Sequence, residues 1–291
     1  MNPGDEFRIG TGGESHTPHP VTSRPGAFAG RRGPVVLMYH GIEKGGGTPD
    51  WQWSVSFQRF VEQLDYLVDS GWSPVALSAL DNPEIRATSR HFVITFDDAY
   101  ADTLPAYEVL AERGCPATWF VVSSAVGGLS TWHDPGVGKR PTLLPHHLRE
   151  MHANGMEIAG HSRSHRALAE VPVGELALET AGCRKTLEDL LGGPVESFAY
   201  PYGSYNRAVI EAVRNAGYRR ACSTENGFCW QDDDPFQLRR IAVHAGDTRS
   251  AFARKLILLD DDAGLKGAAR SALRLARRIA GIDRRPRLEA A

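Results

Sequence analysis

Val93-Ile-Thr-Phe-Asp-Asp-Ala-Tyr100 is the stretch that decides the fold class of this chain. A short apolar run, from Phe92 to Phe96, ends in two adjacent carboxylates, Asp97 and Asp98. A short apolar run bounded by polar residues predicts a buried strand. A strand that ends in acids brings them to one rim of a sheet or barrel, where α/β proteins keep their reactive groups. Because consecutive strand side chains point to opposite sides, we expect the two acids to have different roles.

Strand and helix patterns alternate about seven times along the chain, without an internal repeat. Such alternation predicts parallel strands joined by crossover helices, and Ser56 and Asn206 are typical helix N-caps. Polar residues follow many strands rather than one switch point, so we expect an α/β fold with a closed or nearly closed β/α barrel. The strand candidates are residues 34–39, 72–77, 92–96, 117–122, 156–159, 197–200, 218–223 and 238–243.

The composition is that of an ordinary globular protein. The 291 residues are 42% hydrophobic and 23% charged, with a formal net charge of −2, which gives no argument for nucleic acid as a partner. The sequence contains no run of eighteen apolar residues, so it predicts no membrane-spanning helix. The four cysteines lack CxxC spacing and favour reduced thiols in a cytoplasmic protein, although Cys222 and Cys229 could pair.

The two ends of the chain differ in composition from residues 34–252, which we expect to form the barrel domain. Residues 1–33 predict a disordered lead-in without a secretory signal. In the tail, residues 253–291, the segment from Leu265 to Ile279 predicts a basic amphipathic helix. The simpler interpretation is a helix packed on the barrel with its charged face in solvent. The alternative is a reversible contact with an anionic membrane surface or a partner protein.

A second polar cluster, His161-Ser-Arg-Ser-His165, directly follows the predicted strand at 156–159. On a helical turn, positions i and i+4 face the same way, so both imidazoles could reach one ion. Two histidines and one carboxylate, with open positions for water and substrate, are typical of a catalytic metal site. The same ligand types also suit non-haem ferrous oxygenases, so ligand type alone leaves the reaction open.

Other polar features after strands each allow two interpretations. Pro201-Tyr202-Gly203 could be only a tight turn, or it could aim a backbone N–H at a developing oxyanion. His244 and His40 could each be a general acid or a hydrogen-bonded histidine at the rim. Trp132 and His133, in a long loop, could form a sugar-stacking wall or anchor the loop.

Taken together, ITFDDAY, HSRSH and YPYG, in this order and at these separations, resemble the polysaccharide deacetylases of carbohydrate esterase family four. This is the nodulation-type chitooligosaccharide deacetylase (NodB homology) domain. The LMYHGI opening and the FVEQLDYLVDSGW helix are similar to the branch associated with exopolysaccharide biosynthesis. The resemblance spans about Pro34 to Phe252. It implies a distorted (β/α) barrel, here with about seven parallel strands, that binds one divalent ion, usually zinc.

By match to these motifs, the resemblance implies that Asp98, His161 and His165 are the metal ligands and that Asp97 is the general base. It implies metal-dependent removal of N-acetyl groups from an amino-sugar poly- or oligosaccharide or glycolipid, with release of acetate. Two alternatives stay open. One is a metal-dependent amidohydrolase acting on another non-peptide C–N bond, and the other is a non-catalytic carbohydrate-binding relative.

The same match makes the Tyr202 backbone N–H the oxyanion donor and His244 the acid that protonates the leaving amine. The chain departs from the family pattern at Ala199. The family usually has an arginine there, two residues before the proline of the third motif, and that arginine orients the base carboxylate. Arg240 could supply this guanidinium from another strand, and so could Arg239.

Overall fold

A curled sheet of parallel strands forms the body of the protein in a computed structural model that describes residues 32–132, 138–229, 233–258, 260, 262 and 264–280. His133, nearly all of the predicted lead-in and the end of the tail therefore lie outside the described residues. Seven strands pair in the order β10-β1-β5-β6-β7-β8-β9, and every neighbouring pair is parallel. The predicted distorted (β/α) barrel with about seven parallel strands is confirmed.

The strands are short. An eighth strand, β4, adds to this sheet beside β5, while β2 and β3 form a separate pair. The predicted strand at 72–77 is correspondingly reduced to two residues. The strands are β1 Val35–Tyr39, β2 Gly41–Glu43, β3 Ser54–Ser56, β4 Ser73–Pro74, β5 His91–Phe96, β6 Ala117–Val121, β7 Glu157–Gly160, β8 Ser197–Ala199, β9 Arg220–Cys222 and β10 Ile241–Ala242.

Helices follow most strands of the main sheet, as the alternating pattern predicted. Both predicted N-caps are confirmed, because Ser56 Oγ accepts from the Arg59 N–H at 3.4 Å and Asn206 Oδ1 accepts from the Val209 N–H at 3.0 Å. The helices are α1 Phe57–Asp69, α2 Pro83–Arg86, α3 Leu104–Glu112, α4 Pro145–Ala153, α5 Leu176–Leu191, α6 Arg207–Asn215, α7 Arg249–Leu258 and α8 Leu265–Ile279.

Strand residues alternate between two buried layers, as the pleat requires. Ile94, Phe96 and Trp119 belong to a large cluster shared with the helices. Their neighbours belong to a smaller cluster in the barrel interior, which Leu77 and Leu80 close at the end where the strands begin; its strand members are Val36, Val93, Phe120, Ala159, Ala199 and Cys222. Val93 and Thr95 of β5, and Asp97 directly after it, alternate along the chain and point into the barrel. The interior is therefore apolar over most of its length and polar where Asp97 lies.

The barrel is closed by residues 238–242, which pass from one edge strand to the other. Leu238 bridges Cys222 of β9, whereas Ile241 and Ala242 pair with β1. The strand predicted over 238–243 is therefore wrong in its length, because the chain changes partners in the middle of that stretch. Arg240 lies at this change of partner and is fully buried.

A buried arginine organises the end of the barrel where the strands begin. Arg220 donates to both carboxylate oxygens of Asp81 at 3.1 and 2.6 Å and to Ser197 Oγ at 2.8 Å. Its guanidinium also lies 3.6 Å from Glu157 Oε1. The adjacent Arg219 pairs with Asp81 too, but its side chain is 59% exposed.

The C-terminal helix α8 has the predicted bounds, and two of its basic residues bind the segment that precedes it. Arg270 and Arg274 pair with the buried carboxylate of Asp260, five residues before the helix begins, at 2.6 and 2.8 Å. The simpler interpretation, with the apolar face packed on the barrel, is wrong for this helix, since its leucines are exposed. Leu265, Leu273 and Leu275 are 91%, 53% and 39% exposed.

The helix before it, α7, packs against α1 and buries Phe252, Lys255 and Leu256. The predicted domain boundary between residues 252 and 253 falls inside this helix, so we propose that the barrel domain continues through α7. None of the helices in the described part of the chain has the length and apolar content needed to cross a bilayer.

We expect Arg220→Ala to lower the free energy of unfolding by about 3 kcal/mol, because it leaves Asp81 and Glu157 without their buried counterion. Arg219→Ala is the matched control and should cost about 1 kcal/mol or less, since exposed ion pairs contribute little. Urea unfolding followed by circular dichroism measures both. Equal losses for the two variants would contradict a special role of the buried arginine.

Candidate metal centre and catalytic site

The polar ends of β5 and β7 meet at one rim of the barrel. The Asp97 N–H donates to Tyr39 O of β1 at 2.9 Å, and the His161 N–H donates to Val121 O of β6 at 2.9 Å. Each of these residues therefore continues the pairing of its strand by one position. Since the strands of this sheet are parallel, the residues that follow their carboxyl ends lie at the same edge of the sheet.

Asp98 leaves the alternation of its strand because the chain turns there. Asp98 and Ala99 have φ values of 70° and 51°. The turn directs the Asp98 carboxylate towards the histidine cluster, where its Oδ1 lies 3.1 Å from His165 Nε2 and 3.5 Å from His161 Nε2. All three side chains are buried.

The histidine cluster is a loop and not the helical turn that the i, i+4 spacing predicted. Ser162 and His165 have φ values of 59° and 58°, which a right-handed helix excludes. The loop is held by the Ser123 N–H, which donates to Ser162 O at 3.2 Å, and by Ser162 Oγ, which accepts from the His165 N–H at 2.9 Å. The two rings converge all the same, with centroids 4.9 Å apart.

Positive φ values mark the site as a whole. Among the described residues, the non-glycine positions with positive φ are Asp98, Ala99, Ser162, His165 and Tyr202, and all of them belong to the three motifs. Such conformations cost free energy and persist only where surrounding contacts impose them, often at functional sites.

The donor set of Asp98, His161 and His165 fits a divalent metal ion. Each offers one ligand atom, and these atoms lie within 4.8 Å of one another. Asp98 Oδ1 is buried without a well-directed hydrogen bond, which is the state of an atom that has a further partner to bind. His161 Nδ1 lies 2.8 Å from Ala199 O, so its N–H is directed there and its Nε2 lone pair faces Asp98.

The electrostatics of these three groups also suit an ion. Burial lowers the pKa of His161 to about 4, so the ring is neutral at pH 7 and can act as a ligand. Burial raises the pKa of Asp98, but the nearby imidazoles of His165 and His161 outweigh it and hold that pKa well below the usual value. A carboxylate and two imidazole nitrogens are ligands that zinc prefers.

Of the two candidate arginines, Arg240 is the one that reaches Asp97. Its Nη1 and Nη2 donate to the two carboxylate oxygens at 2.6 and 2.8 Å. Arg239 pairs with Asp233 instead, at 3.3 Å. The Arg240 guanidinium lies over the Phe120 ring, which belongs to the same interior cluster as Ala199.

This ion pair keeps Asp97 ionised. Burial raises the pKa of Asp97, but the charge and the hydrogen bonds of Arg240 outweigh it and lower that pKa. Arg240 is itself held by Ser223 O at 3.0 Å and Thr95 Oγ1 at 3.2 Å. The carboxylate is thus both charged and fixed in orientation.

His244 lies at the same rim, one strand beyond His40. Both residues stand two positions after the paired residues Met38 and Ala242, and both rings pack on Trp53, with centroids 4.7 Å away for His244 and 4.8 Å for His40. Burial, together with the neighbouring Lys255, lowers the pKa of His244 to about 4. The residue predicted to be the acid is therefore neutral at pH 7.

A cleft of about 420 Å³ opens beside the metal centre. Tyr202, half exposed with φ of 57°, packs its ring 4.5 Å from that of His165. Trp132 contacts the other side of His165 at 4.5 Å and donates from Nε1 to Tyr100 Oη at 2.9 Å. Trp132 thus anchors its loop and also lines the cleft, together with Arg166 and Glu170.

Sequence reasoning missed three residues next to His244, namely Trp53, Asp247 and Lys255. Lys255 Nζ lies 3.1 Å from His244 Nδ1 and 2.6 Å from Asp247 Oδ2. A signal for Lys255 exists, since it stands between the apolar Phe252 and Leu256 on the buried side of α7. The basic character of the following tail conceals it.

Known proteins match this chain over most of its described length. Residues 84–221 match the family model described as polysaccharide deacetylase. YxkH of Bacillus subtilis (strain 168), whose name also refers to a polysaccharide deacetylase, is 27% identical over 221 residues, covering 75% of this chain and 74% of YxkH.

Solved structures share the fold. IcaB from Ammonifex degensii has a TM-score of 0.66 at 25% identity, covering 78% of this chain and 97% of IcaB. BC0361, a polysaccharide deacetylase from Bacillus cereus, has a TM-score of 0.65 at 23% identity, covering 78% of this chain and 69% of that protein. With the rim geometry described above, these similarities show that the chain carries a polysaccharide deacetylase domain, matched by the family model over residues 84–221.

Proposed function

We propose that this protein is a metal-dependent hydrolase that removes N-acetyl groups from an amino-sugar poly- or oligosaccharide or glycolipid and releases acetate. The observation that carries the proposal is the buried group of Asp98, His161 and His165 beside the Asp97 carboxylate fixed by Arg240. The match to a polysaccharide deacetylase domain supports deacetylation as the reaction. The aromatic walls of the cleft, Trp132 and Tyr202, support a sugar as the substrate.

Asp98, His161 and His165 would hold the ion, with zinc as the proposed metal. Such an ion polarises a carbonyl and lowers the pKa of water. Asp97 accepts the proton of the attacking water, because Arg240 keeps it ionised and aligned.

The remaining roles belong to groups on the other side of the scissile bond. The Tyr202 backbone N–H donates to the oxyanion as charge develops. His244 delivers a proton to the leaving nitrogen, since an amine leaves poorly without one.

We propose the cytoplasm as the location of the protein. All four cysteines are buried free thiols in the structure, and Cys222 and Cys229 are not paired. Burial raises the pKa of Cys229 to about 12, so its thiol stays protonated and unreactive. Unpaired thiols are the usual state in a reducing compartment.

Metal analysis and an acetate-release assay on N-acetylglucosamine oligomers test the proposed function directly. We expect one ion per chain and loss of turnover with a chelator. Asp98→Ala and His161→Ala should lose both metal and turnover. Asp97→Asn should keep the metal and lose turnover by about 10³-fold, as expected for removal of a general base.

Acetate release that is unaffected by a chelator would contradict metal dependence. Retained turnover in Asp97→Asn would remove Asp97 from the role of base. Bound metal with hydrolysis of small amides but not of acetylated sugars would favour another C–N bond as the target. Bound sugar without any acetate release would favour the non-catalytic alternative.

Arg240→Met should lower turnover by about 10²-fold with unchanged metal content, because the Asp97 carboxylate is no longer held in its reactive orientation. The matched control is Arg239→Met, which removes the neighbouring guanidinium that contacts Asp233 and not Asp97. Its turnover should stay within about threefold of the native value. Both variants are first compared by urea unfolding, and equal losses of turnover per folded molecule would contradict the role of Arg240.

We also propose that α8 contacts an anionic membrane surface. The exposed leucines of this helix lie beside basic residues, the composition of helices that bind at a lipid interface. The protein should sediment with vesicles containing phosphatidylserine and not with phosphatidylcholine vesicles or at high salt. Leu265→Ser with Leu273→Ser should abolish this binding, whereas Val173→Ser, an exposed apolar residue outside α8, should not. Binding that survives the double substitution would contradict the proposal.

A further inference from the structure

A buried lysine contacts the ring nitrogen of His244 from α7. Lys255 Nζ lies 3.1 Å from Ala242 O, 2.6 Å from Asp247 Oδ2 and 3.1 Å from His244 Nδ1. An ammonium group has three N–H donors and no acceptor. Its three donors match these three acceptors one to one, so His244 Nδ1 accepts a hydrogen bond. Neutral His244 must then carry its own proton on Nε2.

The charge of the pair is set by few groups. The Asp247 carboxylate pairs with Lys255 and also accepts a hydrogen bond from the backbone N–H of His244 at 2.7 Å. The other charged and titratable groups that face the pair come from three surrounding elements. They are Asp247 in the loop after β10, Tyr39 at the end of β1 with His40 directly after it, and Arg59 of α1, which donates to Ala245 O. Among the described residues, Asp247 is the carboxylate that hydrogen-bonds to this pair.

This environment disfavours an imidazolium. Burial and the Lys255 ammonium lower the pKa of His244 to about 4, so the protonated ring is populated only below that pH and is lost as the pH rises. These surroundings therefore disfavour a mechanism in which His244 first becomes an imidazolium and then acts as the acid at neutral pH. The ammonium beside it, however, is itself a source of protons.

We propose that Lys255 positions and recharges His244, so that the two residues form a proton relay to the leaving amine. This inference rests on the proposed deacetylase function. As the C–N bond of the tetrahedral intermediate breaks, its electron pair stays on nitrogen and takes the Nε2 proton of His244. In the same step an ammonium proton of Lys255 passes to Nδ1, while the oxyanion electron pair restores the carbonyl of the acetyl product.

The proton balance closes without another reactant than water. After the transfer, His244 is neutral with its proton on Nδ1, and Lys255 is a neutral amine. Once the products leave, Asp97 releases to solvent the proton that it accepted from the attacking water. Nε2 takes up a proton from solvent, and Nδ1 returns its proton to Lys255. His244 never has to exist as a free imidazolium next to an ammonium.

The pH profile of Lys255→Met distinguishes a relay from a structural role. Without the ammonium, His244 can donate only as an imidazolium. Burial still lowers the pKa of that ring, so kcat/KM should fall about tenfold per pH unit above the ordinary histidine pKa of about 6.5. The ratio of native to variant kcat/KM should therefore rise by at least roughly 20-fold between about pH 6 and about pH 8. A merely structural role would lower kcat/KM by the same factor at every pH.

Lys255→Arg is the second variant. Arginine keeps the charge and the donors but does not release a proton at accessible pH. We expect low kcat/KM at both pH values, and restoration of native activity by arginine would overturn the relay. Circular dichroism and metal content confirm that each variant is folded before its kinetics are used.

A measurement that needs no turnover is the ¹⁵N NMR titration of protein labelled in its imidazole rings. The His244 signals are assigned as those that disappear in His244→Gln. Native His244 should stay neutral with its proton on Nε2 down to about pH 5, and its pKa should be higher in Lys255→Met, because the ammonium is one of the causes that lower it. A native proton on Nδ1 would overturn the relay while leaving the deacetylase proposal intact. Absence of acetate release from every acetylated sugar would instead overturn the proposed function, and the relay with it.

Discussion

The register of three neighbouring parallel strands is the constraint on which the candidate site depends. Thr95, Thr118 and Glu157 lie side by side on β5, β6 and β7, and the reactive side chains follow within a few residues. A slip of one residue would exchange the inner and outer faces of a strand. Asp97 would then lose Arg240, and His161 would leave the rim. The sheet pairing therefore fixes where Asp97 and His161 lie, and the turns that follow the strands position Asp98 and His165.

Buried charge is concentrated at the two ends of the barrel interior. Arg240 and Asp97 occupy the end with the metal ligands, whereas Arg220 holds Asp81 at the other end, with an apolar layer between them. Burial of ions is costly, and a well-formed pair offsets that cost only when its hydrogen bonds are satisfied. Both arginines meet that requirement with several acceptors each, so each end of the barrel is held by a directional contact.

Local patterns in the sequence predicted the features that local physics controls. The acids after β5 and the caps at Ser56 and Asn206 follow from alternation and from capping chemistry. The conformation of the His161–His165 loop could not be predicted in this way, since its positive φ values depend on contacts with residues outside the loop, such as Ser123. The burial of Lys255 depends on the packing of α7, and the exposure of the α8 leucines depends on where that helix docks. Such features lie beyond what spacing and composition contain.

The position of Arg240 has a consequence for how chains of this kind are compared. Its guanidinium lies over the ring of Phe120, which belongs to the same interior cluster as Ala199, but it is contributed by a segment forty-one positions later in the printed sequence. A column-by-column comparison would score Ala199 as a lost residue and the chain as degenerate. A comparison by place in space finds the positive charge present, delivered along a different route of the backbone.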